Sequence, residues 1–234
     1  TRTLSPTDEA ALLARRVQPL VRSWSDLRAE LRETGRPASG TVRVSASVSF
    51  GQTVIAPLIA EFRAAHPGVS VDLDLTDRRV DLVAERVDVA IRHGALEASG
   101  LVARRLMTVR YGLYAVPGVS LDDPDDLAGH ALLSFPYAPF RTAWHLDGPE
   151  GPRTVPIAPA AWIGSAVALR DAARAGAGIA VLPDWLPTPG LVRLLPGWTV
   201  RGAERDSALW QLTPSRDYRP ARVTAFIEAL DRVL

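Results

Sequence analysis

The sequence contains no cysteine, no lysine and a single methionine. Without cysteine there is no disulfide, thiolate ligand or thiol nucleophile, which fits a reducing compartment. All 27 basic residues are arginine, so Schiff-base chemistry and a P-loop lysine are excluded. No apolar run approaches the ~20 residues of a membrane helix, and the amino end lacks the pattern of a signal peptide. An excess of one charge is missing too. The net charge of +1 gives no global signal for nucleic acid or membrane. The first residue is Thr1 rather than methionine, so the chain reads as cut from a longer one.

What is present is ordinary for a globular protein: 47% hydrophobic and 23% charged residues in a chain of 234, enough for one large domain or two small ones. A helix is expected from Pro6, capped by Ser5. Leu13, Val17, Leu20, Trp24, Leu27 and Leu31 recur at spacings of four and three, a coiled-coil seam. Its length of roughly 40 Å favours a dimerising connector over a core helix. Pro19 should kink it, and the linker Thr34 to Gly40 ends it.

Thr41 to Ala46 alternates as a strand. A helix follows from Phe50 to His66, then a strand from Val69 to Leu75. The stretch Asp77 to Gly94 (DRRVDLVAERVDVAIRHG) predicts a short amphipathic helix on Val80, Leu82, Val83 and Val87. A strand through Val89 and Ile91 then ends in Arg92, His93 and Gly94. This alternation is that of a parallel α/β unit, whose ligand sites lie at the carboxyl ends of its strands. Leu101 to Val116 carries further strand character around Tyr111, Leu113 and Tyr114. A second unit has a strand at Ala131 to Ser134, a looser hairpin over Trp144 to Val155 and a strand near Ala160 to Ile163. It continues with a helix from Ser165 to Ala175 and a buried strand from Ile179 to Leu182. Leu209 to Leu212 reads as the last strand and Pro220 starts a closing helix.

Catalytic patterns are weak. Asp72 and Asp74 have the spacing of a phosphoryl-transfer pair, but they share a strand face opposite Val71 and Leu73 and point to solvent. Gly176 and Gly178 follow a helix and precede a strand, the reverse of a phosphate cradle, and so act as helix stops. The four histidines lack metal-ligand spacing. No metal or cofactor is expected, and no catalytic residue. What remains is polar residues at strand ends: Ser47 and Ser49, Thr76 and Asp77, Arg92 and His93, and Ser165 at a helix start in the second unit. Two helix amino ends bearing hydroxyls suit an anionic or carboxylate-bearing small molecule. Simple capping explains the serines equally, and Arg92 is alternatively tied to Asp88 or Asp77.

The motifs taken together resemble the effector-binding domain of LysR-type transcriptional regulators. They are Gly40 to Ala46 (GTVRVSA), Pro57 to Phe62 (PLIAEF), His66-Pro67-Gly68-Val69, Asp81 to Glu85 (DLVAE) and Asp88 to Arg92 (DVAIR). Leu101 to Leu106 (LVARRL), Asp126-Leu127 with His130, Gly176 to Pro183 and Leu191 to Pro196 (LVRLLP) complete the set. The resemblance implies an α/β fold of two Rossmann-like subdomains of the periplasmic-binding-protein type, after a long linker helix. Residues 1–39 would be the end of a DNA-binding wing and the dimerising helix. Residues 40–112 plus 215–234 would form the first subdomain and 113–214 the second. By position it implies an effector site at Ser47, Val48, Ser49, Phe50, Thr76, Asp77, Arg92, His93 and Ser165. Ile163-Gly164 departs from the polar residue usual before the second helix, which makes that wall less polar. The implied protein is cytoplasmic, a homodimer or homotetramer, and binds DNA through a helix-turn-helix absent from this chain. The alternative is a solute-binding protein of a transporter, which predicts a signal peptide or lipid anchor upstream.

Overall fold

The computed structural model describes residues 7, 9–10, 12–13, 16–17, 20–21, 24, 37–94, 100–202, 207–214 and 219–234. Of the expected seam, Leu13, Val17, Leu20 and Trp24 are helical and exposed. Ser5, Pro6, Pro19, Leu27, Leu31 and residues 34–36 of the linker lie outside the described residues.

Strand β1 (Gly40–Ala46) is the middle of a parallel trio, flanked by β2 (Val69–Leu75) and β3 (Val89–His93). Val42, Val44 and Ala46 are fully buried on one face and Ser45 on the other, as a strand covered on both sides requires. Helix α1 leads from β1 to β2. It runs as an α-turn at Val48–Phe50, a π-turn at Gly51–Ile55 and an α-helix at Ala56–Ala65. Its start lies hard on the sheet: a Cβ on Gly51 would overlap the Leu75 side chain and lie 3.3 Å from the Ala46 Cβ. His66 ends the helix outside helical conformation, ahead of Pro67-Gly68.

The helix expected between β2 and β3 is not formed. The segment makes one hydrogen-bonded turn, Glu85 N–H to Asp81 O at 2.9 Å. Two bonds then close it, Val87 N–H to Leu82 O at 2.8 Å and Arg86 N–H to Val83 O at 3.3 Å. Arg86 is left-handed (φ 56°), so this is a Schellman stop after a single turn. Asp81 Oδ1 accepts the amides of Val83 and Ala84, both at 3.0 Å. These are N-cap contacts, which start a helical turn, so the stop is set by the left-handed Arg86. The apolar pattern nonetheless picks the right inward residues: Leu82 and Val87 are buried with Ala90 and Leu212.

Two antiparallel strands complete the first sheet, β4 (Val102–Thr108) and β13 (Ala208–Thr213), in the order β2-β1-β3-β13-β4. The second sheet is built around β5 (Tyr111–Ala115) and β10 (Ile179–Pro183), which pair antiparallel. It adds β6 (Leu132–Ser134), β7 (Ala143–Gly148), β8 (Gly151–Pro156) and β9 (Ala161–Trp162), with β11 (Val192–Leu194) and β12 (Thr199–Val200) on β5. Helix α2 (Ala166–Arg174) buries Leu169 and Ala173 against it. Helix α3 (Ala221–Val233) returns to the first sheet: Phe226 meets Phe62 edge-on at 5.4 Å, and Arg222 Nε donates to Thr41 O at 2.9 Å.

The boundaries implied by the resemblance need correction. Residues 111 and 112 already belong to the second sheet, and β13, expected in the second subdomain, is a strand of the first. The chain crosses at 109–110 and again between β12 and β13. The crossings touch, with Val109 N–H donating to Ser207 O at 2.7 Å.

Candidate functional site

A cavity of about 230 Å³ lies between the two sheets. The first sheet's side contributes Ser47 and Ser49 from the start of α1, Asp77 from the turn after β2, and His93 and Gly94 from the end of β3. Gly94 turns the chain there in left-handed conformation (φ 108°). Ser207 and Tyr111 enter from the crossings. The second sheet's side is largely aromatic: Phe135, Tyr137 and Phe140 after β6, and Trp185 after β10. These rings form one packed wall, with Phe135 stacked on Tyr137 at 5.8 Å and Phe140 at 5.4 Å from Phe135 and 4.8 Å from Tyr111.

Most of the polar groups are held by a neighbour. Asp77 Oδ1 accepts the Val48 amide at 3.1 Å, so it caps α1, while the Ser47 hydroxyl makes no capping bond. Ser49 reaches across the cleft. Its Oγ accepts the amides of Ala166 at 2.9 Å and Val167 at 3.4 Å, at the amino end of α2, and lies 3.2 Å from Ser165 Oγ. Ser165 Oγ accepts the Ala168 amide at 3.3 Å, the ordinary cap of α2. His93 Nε2 is 3.1 Å from the Tyr111 hydroxyl and 3.2 Å from Ser207 Oγ. Desolvation pulls the His93 pKa below the usual imidazole value and pushes Tyr111 above the usual phenol value. The imidazole and phenol are therefore both neutral near pH 7.

Of the nine residues expected in the site, Ser47, Ser49, Asp77 and His93 line the cavity. Ser165 stands behind Ser49 as a cap, and Val48 contributes only its amide to Asp77. Phe50 is fully buried behind the wall, edge-on to Trp185 at 5.4 Å. Thr76 N–H donates to Ala46 O, and its hydroxyl accepts the Arg78 amide. Arg92 is the main correction. Adjacent residues of a strand face opposite ways, so with His93 in the cavity, Arg92 lies on the far face of β3. There its Nη2 donates to Ser45 Oγ at 2.7 Å and its Nη1 to Ile91 O at 3.3 Å. Burial lowers its pKa, opposed by Asp77 and Asp74, yet a guanidinium stays charged. Asp88 instead accepts the Arg43 amide at 2.9 Å. Missed altogether were the aromatic wall and Ser207. Phe135, Tyr137, Phe140 and Trp185 do follow strands at their carboxyl ends, the position that marks a site in such sheets.

Among the described residues no three His, Cys, Asp or Glu side chains gather to hold a metal ion, and no helix is long and apolar enough to cross a membrane. Asp72 and Asp74 lie exposed on β2, Asp72 3.7 Å from Arg43 and Asp74 accepting from Ser45 Oγ.

The profile of the family described as "LysR substrate binding domain" matches residues 35–234. The chain is similar to the HTH-type transcriptional regulator PtxR of Pseudomonas aeruginosa, at 31% identity over 98% of this chain and 76% of that protein. It is 30% identical to an HTH-type transcriptional regulator of Xanthomonas campestris pv. campestris, over 85% of this chain and 62% of the relative. Among solved structures it resembles CrgA, a LysR-type transcriptional regulator from Neisseria meningitidis, with a TM-score of 0.72 and 26% identity. That match covers 99% of this chain and 81% of CrgA. The fold is thus of the periplasmic-binding-protein-like type. With two α/β halves, a cleft between them and a family match over all but the first 34 residues, the chain belongs to the LysR-type transcriptional regulators and carries their effector-binding domain.

Proposed function

We propose that this chain is the sensing and oligomerising part of a cytoplasmic regulator, and that a small molecule in the inter-sheet cavity alters DNA binding by the whole protein. The observation that carries this is the cavity itself, walled from both sheets and bridged by Ser49. A ligand that prefers one relation of the two halves shifts their equilibrium by no more than its difference in affinity for the two states. DNA contact would be made by a helix-turn-helix outside this chain. A second copy is the natural partner of the amino-terminal helix, whose Leu20 and Trp24 are 68% and 63% exposed. The assembly is a homodimer or a homotetramer.

Native mass spectrometry of the chain equilibrated with a small-metabolite extract tests the site. The wild type should carry an added small-molecule mass that a Ser47→Trp variant, with its cavity filled, lacks. Equal adducts on both folded proteins would contradict the assignment.

A further inference from the structure

We infer that the effector is a small aromatic molecule ending in a hydrogen-bond donor and bearing no anionic group, with Asp77 as the acceptor that selects it. The inference rests on the cavity being the effector site. Size gives the first argument. An apolar cavity of about 150 Å³ accommodates benzene, so about 230 Å³ suits a substituted ring or a fused bicycle. The wall gives the second. Phe135, Phe140, Tyr137 and Trp185 offer ring faces and edges that pair with another aromatic system, and that also attract an ammonium group.

Charge decides the rest. Among the described residues that line the cavity, Asp77 is the single charged side chain. His93 is held neutral by desolvation, and Arg92, though near enough to Asp77 to feel its charge, is outside the lining and turned onto Ser45. Most of the donors an anion would need are already used, the Ser47 hydroxyl excepted. Ser49 Oγ takes the α2 amides of Ala166 and Val167, and the Tyr137 hydroxyl donates to Gly164 O at 2.8 Å. The indole N–H of Trp185 is buried without an acceptor. A carboxylate entering here meets a like charge, and to reach the α2 amides it must displace Ser49. An ammonium or hydroxyl donor meets a carboxylate that has spent one lone pair on Val48 and keeps others free. Asp77 also lies near enough to Tyr137 to raise its pKa after burial has done so, which puts donor site and ring wall side by side. The carboxylate-bearing effector expected from the hydroxyls and helix ends is therefore replaced by its electrostatic opposite.

Titration of the chain with tryptamine, tryptophol and indole-3-acetate, followed by backbone amide NMR shifts, separates the possibilities. The three share a bicycle and differ at the tip: ammonium, hydroxyl or carboxylate. The amides of Gly94, Gly164 and Ala166 should move, with tryptamine binding about tenfold tighter than indole-3-acetate, or about 1.4 kcal/mol, and tryptophol between them. Asp77→Asn, whose amide oxygen can still cap Val48, should bring tryptamine to within about twofold of tryptophol. Tightest binding by indole-3-acetate at these amides would overturn the ligand class and leave the cavity as the site. Binding of none of the three would likewise overturn the class. Shifts confined to distant residues would overturn the site itself.

Discussion

Ser49 starts one helix and hydrogen-bonds at the start of another. Its sequence context, just after a strand, marks a capping or ligand hydroxyl, and no local pattern shows that the amides it serves are those of Ala166 and Val167, 117 and 118 residues away. Removing it by Ser49→Ala leaves the Ala166 amide without this acceptor and should cost about 1 kcal/mol, read as a lower urea midpoint at unchanged slope. An unchanged midpoint would mean that the bridge adds nothing to the stability of this state. His93 carries a pH dependence whose sign follows from burial. Its folded pKa lies below the unfolded value of about 6.5, so in that interval the unfolded chain binds more protons and stability rises with pH. The contribution is complete above about pH 6.5 and is lost as pH falls from there to the folded value. His93→Gln should flatten that slope in urea unfolding, and an identical slope in both proteins would assign it elsewhere. Arg92 shows what was legible and overlooked. Arg92 and His93 are consecutive on a strand, so the pleat allows only one of them into the cleft.

At the scale of elements, long periodic segments were readable and short ones were not. Strands β1, β2 and β3, helices α1, α2 and α3, and the β7–β8 hairpin all carry an apolar period over several residues. Strands β11 and β12, of three and two residues, have no period to detect and exist because β5 offers them an edge. The segment before β3 has helical spacing, but after its cap at Asp81 a left-handed Arg86 ends it in one turn. Gly178, identified as a helix stop, does more than stop a helix. It has φ 147°, and a Cβ there would overlap the carbonyl of Ala131 beside β6. Gly178→Ala should therefore destabilise by about 1–3 kcal/mol in denaturant unfolding. A neutral substitution would show that the α2–β10 turn relaxes freely. The aromatic wall was hidden for a related reason: Phe135 to Phe140 sit in a loop with a short 3₁₀ turn at Ala138–Phe140, where side-chain direction has no period.

At the scale of the whole molecule, the chain leaves the first sheet once and returns once. Its two crossings lie side by side at Val109 and Ser207, next to Tyr111 and His93, so any change in the relation of the halves passes through the cavity's own lining. The Ser49–α2 contact is the direct strap across the opening. A parent regulator carrying Ser49→Cys and Ser165→Cys offers a direct test, because these 234 residues contain no other cysteine. The two Oγ atoms are 3.2 Å apart, so sulfurs at those positions need roughly 1 Å of approach to reach the ~2.05 Å disulfide bond. Locking the cleft by oxidation should change operator affinity by at least about fivefold, reversibly on reduction. Equal operator affinity and footprint in the oxidised and reduced protein would contradict the claim that the cleft governs DNA binding.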